Sequence, residues 1–249
     1  MQFRLKPLSQ QTIVITGATS GIGLCTARMA AKRGANVVAI ARNEAALCEL
    51  VDAEYMPCNG TAASEVSLPT FINADKLPIS ITLIKPTAIH TPFPENARNY
   101  LSYEPQLPPP LYAPDLVAEA ILHCAENPTR DFFVGGMAKV HSSMALNTPR
   151  LHEKVNESMI DSMQNSGEPT AMRRSDGLYD TNSRLSERGA QDRRVLEHSL
   201  YQRAKLHPAL TATIAVAGGV ALAAWLGSKA SNTATSNANK IDPRDCVVL

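Results

Sequence analysis

The chain has 249 residues, a formal net charge of +1 at pH 7 and 44% hydrophobic residues, enough for one large domain or two small ones. So balanced a charge offers no bulk field, and 5% aromatic residues without basic runs between them offer no stacking surface, so nucleic acid is excluded as a partner. The five cysteines, Cys25, Cys48, Cys58, Cys124 and Cys246, never fall in a CxxC spacing, which points to reduced thiols in a cytosolic setting and to no metal. Met1 to Pro7 carries Arg4 and Lys6 but no apolar stretch, so no cleaved signal peptide is expected.

The first predicted element is the β-branched run Thr12-Ile13-Val14-Ile15, a strand suited to burial on both faces. A helix over Leu24–Arg33 follows, rich in Ala and Met and stopped by Gly34. Asn36 to Ala41 is a second apolar strand. Strand, turn, helix and strand in that order form the unit that builds a parallel sheet.

The turn between the first strand and its helix reads Thr16-Gly17-Ala18-Thr19-Ser20-Gly21-Ile22-Gly23. Glycines there let the backbone approach a pyrophosphate, and the helix N-terminus adds free N–H groups and positive potential. The spacing T-G-x-x-x-G-x-G resembles the fingerprint of the short-chain dehydrogenase/reductase family. The resemblance implies a dinucleotide as partner, with Thr16, Gly17, Ser20, Gly21, Ile22 and Gly23 in its binding site. The second strand ends Ala41-Arg42-Asn43, with no carboxylate before Glu44. An NAD site wants an acid there for the ribose 2′-hydroxyl, whereas Arg42 suits a 2′-phosphate, so NADP is favoured over NAD.

A further strand is expected over Ile79–Lys85, followed by Pro86-Thr87-Ala88-Ile89-His90-Thr91-Pro92-Phe93. This segment is similar to the family's P-G-x-[VI]-x-T, with Thr87 in place of the glycine. The resemblance implies that the Ile89 backbone and the Thr91 side chain face the nicotinamide carboxamide. His90 reads as a loop histidine near the cofactor edge, since no catalytic partner for it is identifiable. Pro114 with Asp115 opens a helix through Val117, Ala118, Ile121 and Leu122. Asp131-Phe132-Phe133-Val134-Gly135-Gly136 is the last strand and its turn. The resemblance covers residues 8 to about 52 and about 74 to 140.

Between those blocks the chain is too short. From Arg42 to Pro86 is 44 residues, while a doubly wound sheet needs three further βα units there, each of about 30 residues. Roughly a hundred residues are therefore missing by that arithmetic. In the family they hold the Asn-Ala-Gly segment, the catalytic Ser and the Tyr-x-x-x-Lys pair, whose Tyr is the general acid/base. Asn59-Gly60 echoes the first poorly, and Tyr55 has no Lys four positions later. Tyr201-Gln202-Arg203-Ala204-Lys205 matches Tyr-x-x-x-Lys in spacing only. It follows the Pro86–Thr91 segment instead of preceding it, so Tyr201 and Lys205 read as a decoy for the catalytic pair. In the sheet order 3-2-1-4-5-6, loss of strands four and five would force strand six onto strand one and strip apolar strand faces of their helices.

The C-terminal part is polar over 150–200, apart from a helix expected over Leu151–Met163. Ala209 to Gly227 then runs 19 residues without a charge, a length compatible with one bilayer crossing, so membrane lipid is a candidate partner for 209–227. Basic residues are denser on the near side, which leaves the preceding domain in the cytosol. The predicted fold class is α/β, a truncated Rossmann-type doubly wound parallel sheet followed by a polar linker and one C-terminal apolar helix. Residues 1–140 form the nucleotide-binding domain with its junction at about 52–74, 141–205 a polar and partly disordered linker, 206–228 a candidate transmembrane helix and 229–249 a polar tail. Three functions follow: an NADP-dependent oxidoreductase impaired by its missing segment, a non-catalytic nucleotide-binding or membrane-tethered module, or a shortened gene product without a stable fold.

Overall fold

A computed structural model describes residues 5–54, 80–170, 177, 185–219 and 225. The chain divides into two compact units, Met1–Gln202 and Arg203–Leu249.

The first unit opens as the sequence predicts. Strand β1 (Thr12–Thr16), helix α1 (Gly21–Lys32) and strand β2 (Asn36–Ile40) make a parallel pair in register from Thr12 opposite Asn36 to Thr16 opposite Ile40. The first turn of α1 begins at Gly21, three residues before the apolar run starts, and the helix stops at Gly34, whose φ is +82°. Helix α2 (Glu44–Glu54) follows.

Beyond the undescribed stretch come β3 (Leu83–Pro86), the short α3 (Phe93–Asn96), β4 (Tyr103–Pro105) and β5 (Leu111–Tyr112). Helix α4 (Pro114–Glu126) starts on Pro114 with Asp115 in its first turn and leads to β6 (Asp131–Val134), which pairs in parallel with β3. Strand β3 starts at Leu83, later than the run from Ile79 suggests.

Helix α1 packs on α4. Ala27 and Ala30 on α1 and Ala118 and Ala120 on α4 are all 0% exposed, and such small residues let helix backbones approach closely. Leu8, Ile15, Leu24, Val37, Leu50 and Leu122 join Ala27 and Ala30 in one core cluster.

Among the described residues the other strand faces are exposed. Side chains alternate across a strand, so Ile15 and Val37 enter the core while Val14 and Val38 point away from it. Val14 is 59% exposed and Leu83 on β3 is 55% exposed. A parallel sheet is normally covered on both faces; among the described residues these two side chains are left exposed. The expected pairing of the late strand with the first one does not occur. Among the described residues β1–β2 and β3–β6 are separate two-stranded sheets with no ladder between them. An apolar groove of about 240 Å³ runs along β3, lined by Leu5, Thr82, Ile84, Ile121 and Cys124 among others.

Within the stretch expected to be a polar linker, the described residues include regular elements. Helices α5 (Gly136–Asn147) and α6 (Pro149–Gln164, the helix foreseen there) lead to β7 (Asn165–Pro169), antiparallel to β4. Strand β8 (Val195–Leu196) pairs in parallel with β5, and α7 (Leu200–Leu206) follows. Among the described residues of this stretch, Arg188 pairs with Glu197 at 2.6 Å and with Asp115 at 3.1 Å.

In the second unit the backbone is helical over 208–219, with Leu210, Ile214 and Val216 exposed. The expected membrane crossing over Ala209–Gly227 finds no support: among the described residues no helix is long and apolar enough to span a bilayer. The rest of that stretch, apart from Trp225, lies outside the described residues, as do the proposed junction at 55–74 and Cys246.

Candidate dinucleotide site

The glycine-rich turn lies at the C-terminal end of β1, where parallel α/β sheets bind ligands. It is tied to the neighbouring strand end, since the Gly17 and Ala18 N–H groups donate to the Ile40 carbonyl at 2.8 and 3.3 Å. Gly17 adopts φ +69° and Gly21 φ +53°, a region that favours glycine. At Gly23 the need is for space. A Cβ there would lie 2.2 Å from the Gly17 carbonyl oxygen and 2.8 Å from its carbon. The turn and the start of α1 are thus nested backbone against backbone. Ser20 holds the N-cap position without any side-chain capping bond, so its side chain does not take up the first turn's N–H groups, of which that of Gly21 donates to the Ser186 carbonyl at 2.8 Å. These residues fit a pyrophosphate.

The second predicted segment joins this turn. A Cβ on Gly21 would lie 3.4 Å from the Thr91 Cβ and Cγ2, so the loop after β3 borders the glycine turn. Ile89 is buried and bridges Tyr112 on β5, with the His90 N–H donating to the Tyr112 carbonyl at 2.9 Å. Thr16, Gly17, Ser20, Gly21, Ile22, Gly23, Ile89 and Thr91 therefore belong to one region. Arg42, exposed just past β2, donates to the Gly177 carbonyl at 2.6 Å. His90 is buried, and its Nε2–H donates to the Gln191 carbonyl at 2.9 Å.

A polar cluster sits beside α1. The Cys25 thiol donates to Asp115 Oδ1 at 3.6 Å. Burial first, then the charges of Asp115 and Glu187, push this thiol up to about 12. Cys25, Asp115 and Glu187 offer ligand atoms within 4.8 Å of one another. However, Arg28 pairs with Glu187 at 2.7 Å and Arg188 with Asp115 at 3.1 Å, so arginines already occupy the carboxylates and the thiol keeps its proton. A consequence is alkaline sensitivity. In the unfolded chain the thiol ionises near its ordinary 9.0, whereas in the fold it stays protonated to about 12. Its contribution is intact below pH 9 and is lost as pH rises from there toward 12, at up to about 1.4 kcal/mol per pH unit. Urea unfolding between pH 7 and 11 should show this fall, and Cys25→Ala should flatten it; an equal slope in both proteins would refute the assignment.

Comparison with known proteins agrees with this geometry. The short chain dehydrogenase family model matches residues 11–66. The uncharacterized oxidoreductase YxnA of Bacillus subtilis (strain 168) is 30% identical, with 92% of this chain and 93% of that protein covered. The chain belongs to the short-chain dehydrogenases. No solved structure matches it.

The alignment of this dehydrogenase with its Bacillus relative extends over 335 positions, so a chain of 249 residues leaves at least 86 of them without a residue of its own. Of the decoy pair, Tyr201 stands on α7, where a Cβ added to Gly136 would lie 3.8 Å from the Tyr201 Cβ, while Lys205 belongs to the second unit. The next residue, Gln202, is fully buried and donates to the Leu116 carbonyl at 2.7 Å, which gives this helix turn a packing role on α4. Sequence reasoning missed the segment 185–193, which lies across the dehydrogenase's glycine turn. Its one legible signal is Gly189, where a Cβ would lie 2.8 Å from the Thr91 carbonyl oxygen.

Proposed function

We infer that this short-chain dehydrogenase binds NADP(H) and, lacking the family's Ser and Tyr-x-x-x-Lys segment, performs no hydride transfer by itself. The nested Gly17–Gly23 turn bordered by Thr91 carries the reading. It supplies helix N–H groups for the pyrophosphate, and the resemblance gives the Ile89 backbone and Thr91 side chain the nicotinamide carboxamide. When bound, the cofactor would supply the hydride. The protein's residues would hold the pyrophosphate, orient the ring and pair Arg42 with the 2′-phosphate, a fork-shaped donor against a dianion. Arg42 already donates to a neutral carbonyl, a bond that a dianion would outcompete.

Calorimetric titration tests this. NADPH should bind more tightly than NADH by about tenfold or more, and Arg42→Glu should erase that preference by placing like charge against the phosphate. Equal affinity of the wild-type protein for both cofactors would remove Arg42 from the site.

The size of the alignment gap and the exposed strand faces also favour a second reading, that the chain is a shortened form of a longer reductase. Comparing its gene with this sequence around Val51–Ala74 decides it: a coding segment for the missing strands at that junction supports the reading, and a continuous exon without one rejects it.

A further inference from the structure

Residues 185–193 run along the cofactor groove, not beside it. The Gly21 N–H, at the N-terminus of α1, donates to the Ser186 carbonyl at 2.8 Å, and Ser20 and Ser186 form a parallel β-bridge. Gly189 lies against the Thr91 carbonyl, where a Cβ would have 2.8 Å to that oxygen and 3.0 Å to Glu95 Oε1. The Ala190 N–H donates to Glu95 Oε1 at 2.5 Å, and the Gln191 carbonyl takes the His90 Nε2–H at 2.9 Å. Two ion pairs fasten the strap: Arg28 with Glu187, and Arg188 bridging Glu197 at 2.6 Å and Asp115 at 3.1 Å. Gln191 adds bonds to the Pro105 carbonyl and the Leu107 N–H.

We propose that the 185–193 strap is a built-in competitor for the dinucleotide, seated on the Gly21 N–H and the Ile89–Thr91 segment that the cofactor must use. The inference rests on the dinucleotide reading above. An N–H group spent on a carbonyl cannot also serve a phosphate oxygen, so the two occupants exclude each other at Gly21. The strap has the shape of a pseudo-ligand: a neutral carbonyl where the pyrophosphate would sit and a glycine pressed on the nicotinamide-side threonine. Its ion-pair anchors lie outside the groove, on Arg28 of α1, Asp115 of α4 and Glu197, so it can lift without unfolding the β1–α1–β2 unit. Cofactor affinity is then the intrinsic affinity reduced by the fraction of molecules with the strap lifted.

The test uses the full chain and two variants. Gly189→Val places a branched side chain where backbone atoms leave no room, and Arg188→Ala releases the Asp115–Glu197 clamp without adding bulk. Hydrogen exchange at the Gly21 amide, followed by NMR, reads strap seating with no ligand present; NADPH titration reads competition. The wild-type Gly21 amide should be protected, both variants should expose it, and both should bind NADPH on the order of tenfold more tightly. A Gly21 amide that exchanges freely in the wild type overturns the strap. Exposure of the amide with unchanged NADPH affinity overturns the competition. Exposure with no NADPH binding in any of the three proteins overturns the dinucleotide reading and the strap's inhibitory role with it, while showing that the strap does seat. Arg188→Ala keeps the experiment decisive should Gly189→Val fail to fold.

Discussion

No oxidation of NADPH above background is expected from the purified chain with a panel of aldehydes and ketones. The family resemblance implies a tyrosine general acid/base and a substrate-polarising serine in βα units that would lie between β2 and β3. Those two strands are not joined by a ladder among the described residues, and the alignment with the Bacillus relative leaves at least 86 positions empty in this chain. A positioned acid/base is worth about 10² to 10⁴ in rate, and oxyanion-type polarisation about 10² to 10³ more. Loss of both removes the reaction from a routine absorbance assay. The measurement is the 340 nm signal with wild type and with Tyr201→Phe. Turnover that Tyr201→Phe abolishes would restore the Tyr201–Lys205 pair to a catalytic role and defeat the expectation.

The front of the molecule was legible because its signals are local. Thr12–Thr16 is apolar and β-branched, the glycine spacing is compact, and Gly34 marks the helix end, so β1, α1 and β2 follow from short windows. Strand β6 and helix α4 follow for the same reason. The short strands β5 and β8 did not: Leu111–Tyr112 pairs with Val195–Leu196 across more than 80 residues, and two residues carry no periodicity. The strap was hidden by its chemistry. Glu187, Arg188 and Gln191 look like a solvated surface in sequence, yet each meets a partner far away in the chain.

The site was readable to the same extent. Gly21 and Thr91 were expected in one cofactor region, and their side-by-side placement needs only that β1 and β3 point the same way. The lack of a ladder between β1 and β3 among the described residues was harder to foresee. Hydrophobic burial predicts that apolar edges close on each other, but β1 and β3 are each held from one side by α1 and α4, which pack together. With that layer complete, Leu24 and Leu122 are fully buried without any β1–β3 ladder, and the exposed face with Val14 remains.

A stability contrast within the glycine turn should be large. Gly23→Ala is expected to lower stability by about 3 kcal/mol, the upper end for an inserted methyl, because the colliding atoms are backbone and cannot rotate away. For a chain of this size that is a fall in Tm of about 6–12 °C. Gly17→Ala is the control. Nothing lies within 4 Å of a Cβ at Gly17, so only its φ of +69° opposes the change, at about 1–2 kcal/mol. The two variants also separate on binding. Gly23→Ala must push the Gly17 carbonyl or the first turn of α1 aside, which displaces the N–H groups that meet the pyrophosphate. Gly17→Ala strains the turn and leaves the α1 N-terminus in place. Thermal melts followed by NADPH titration should therefore rank wild type, Gly17→Ala and Gly23→Ala in that order on both scales. A Gly23→Ala protein melting with the wild type would mean that β1 and α1 are not nested through this contact, and the dinucleotide cradle built on it would fall.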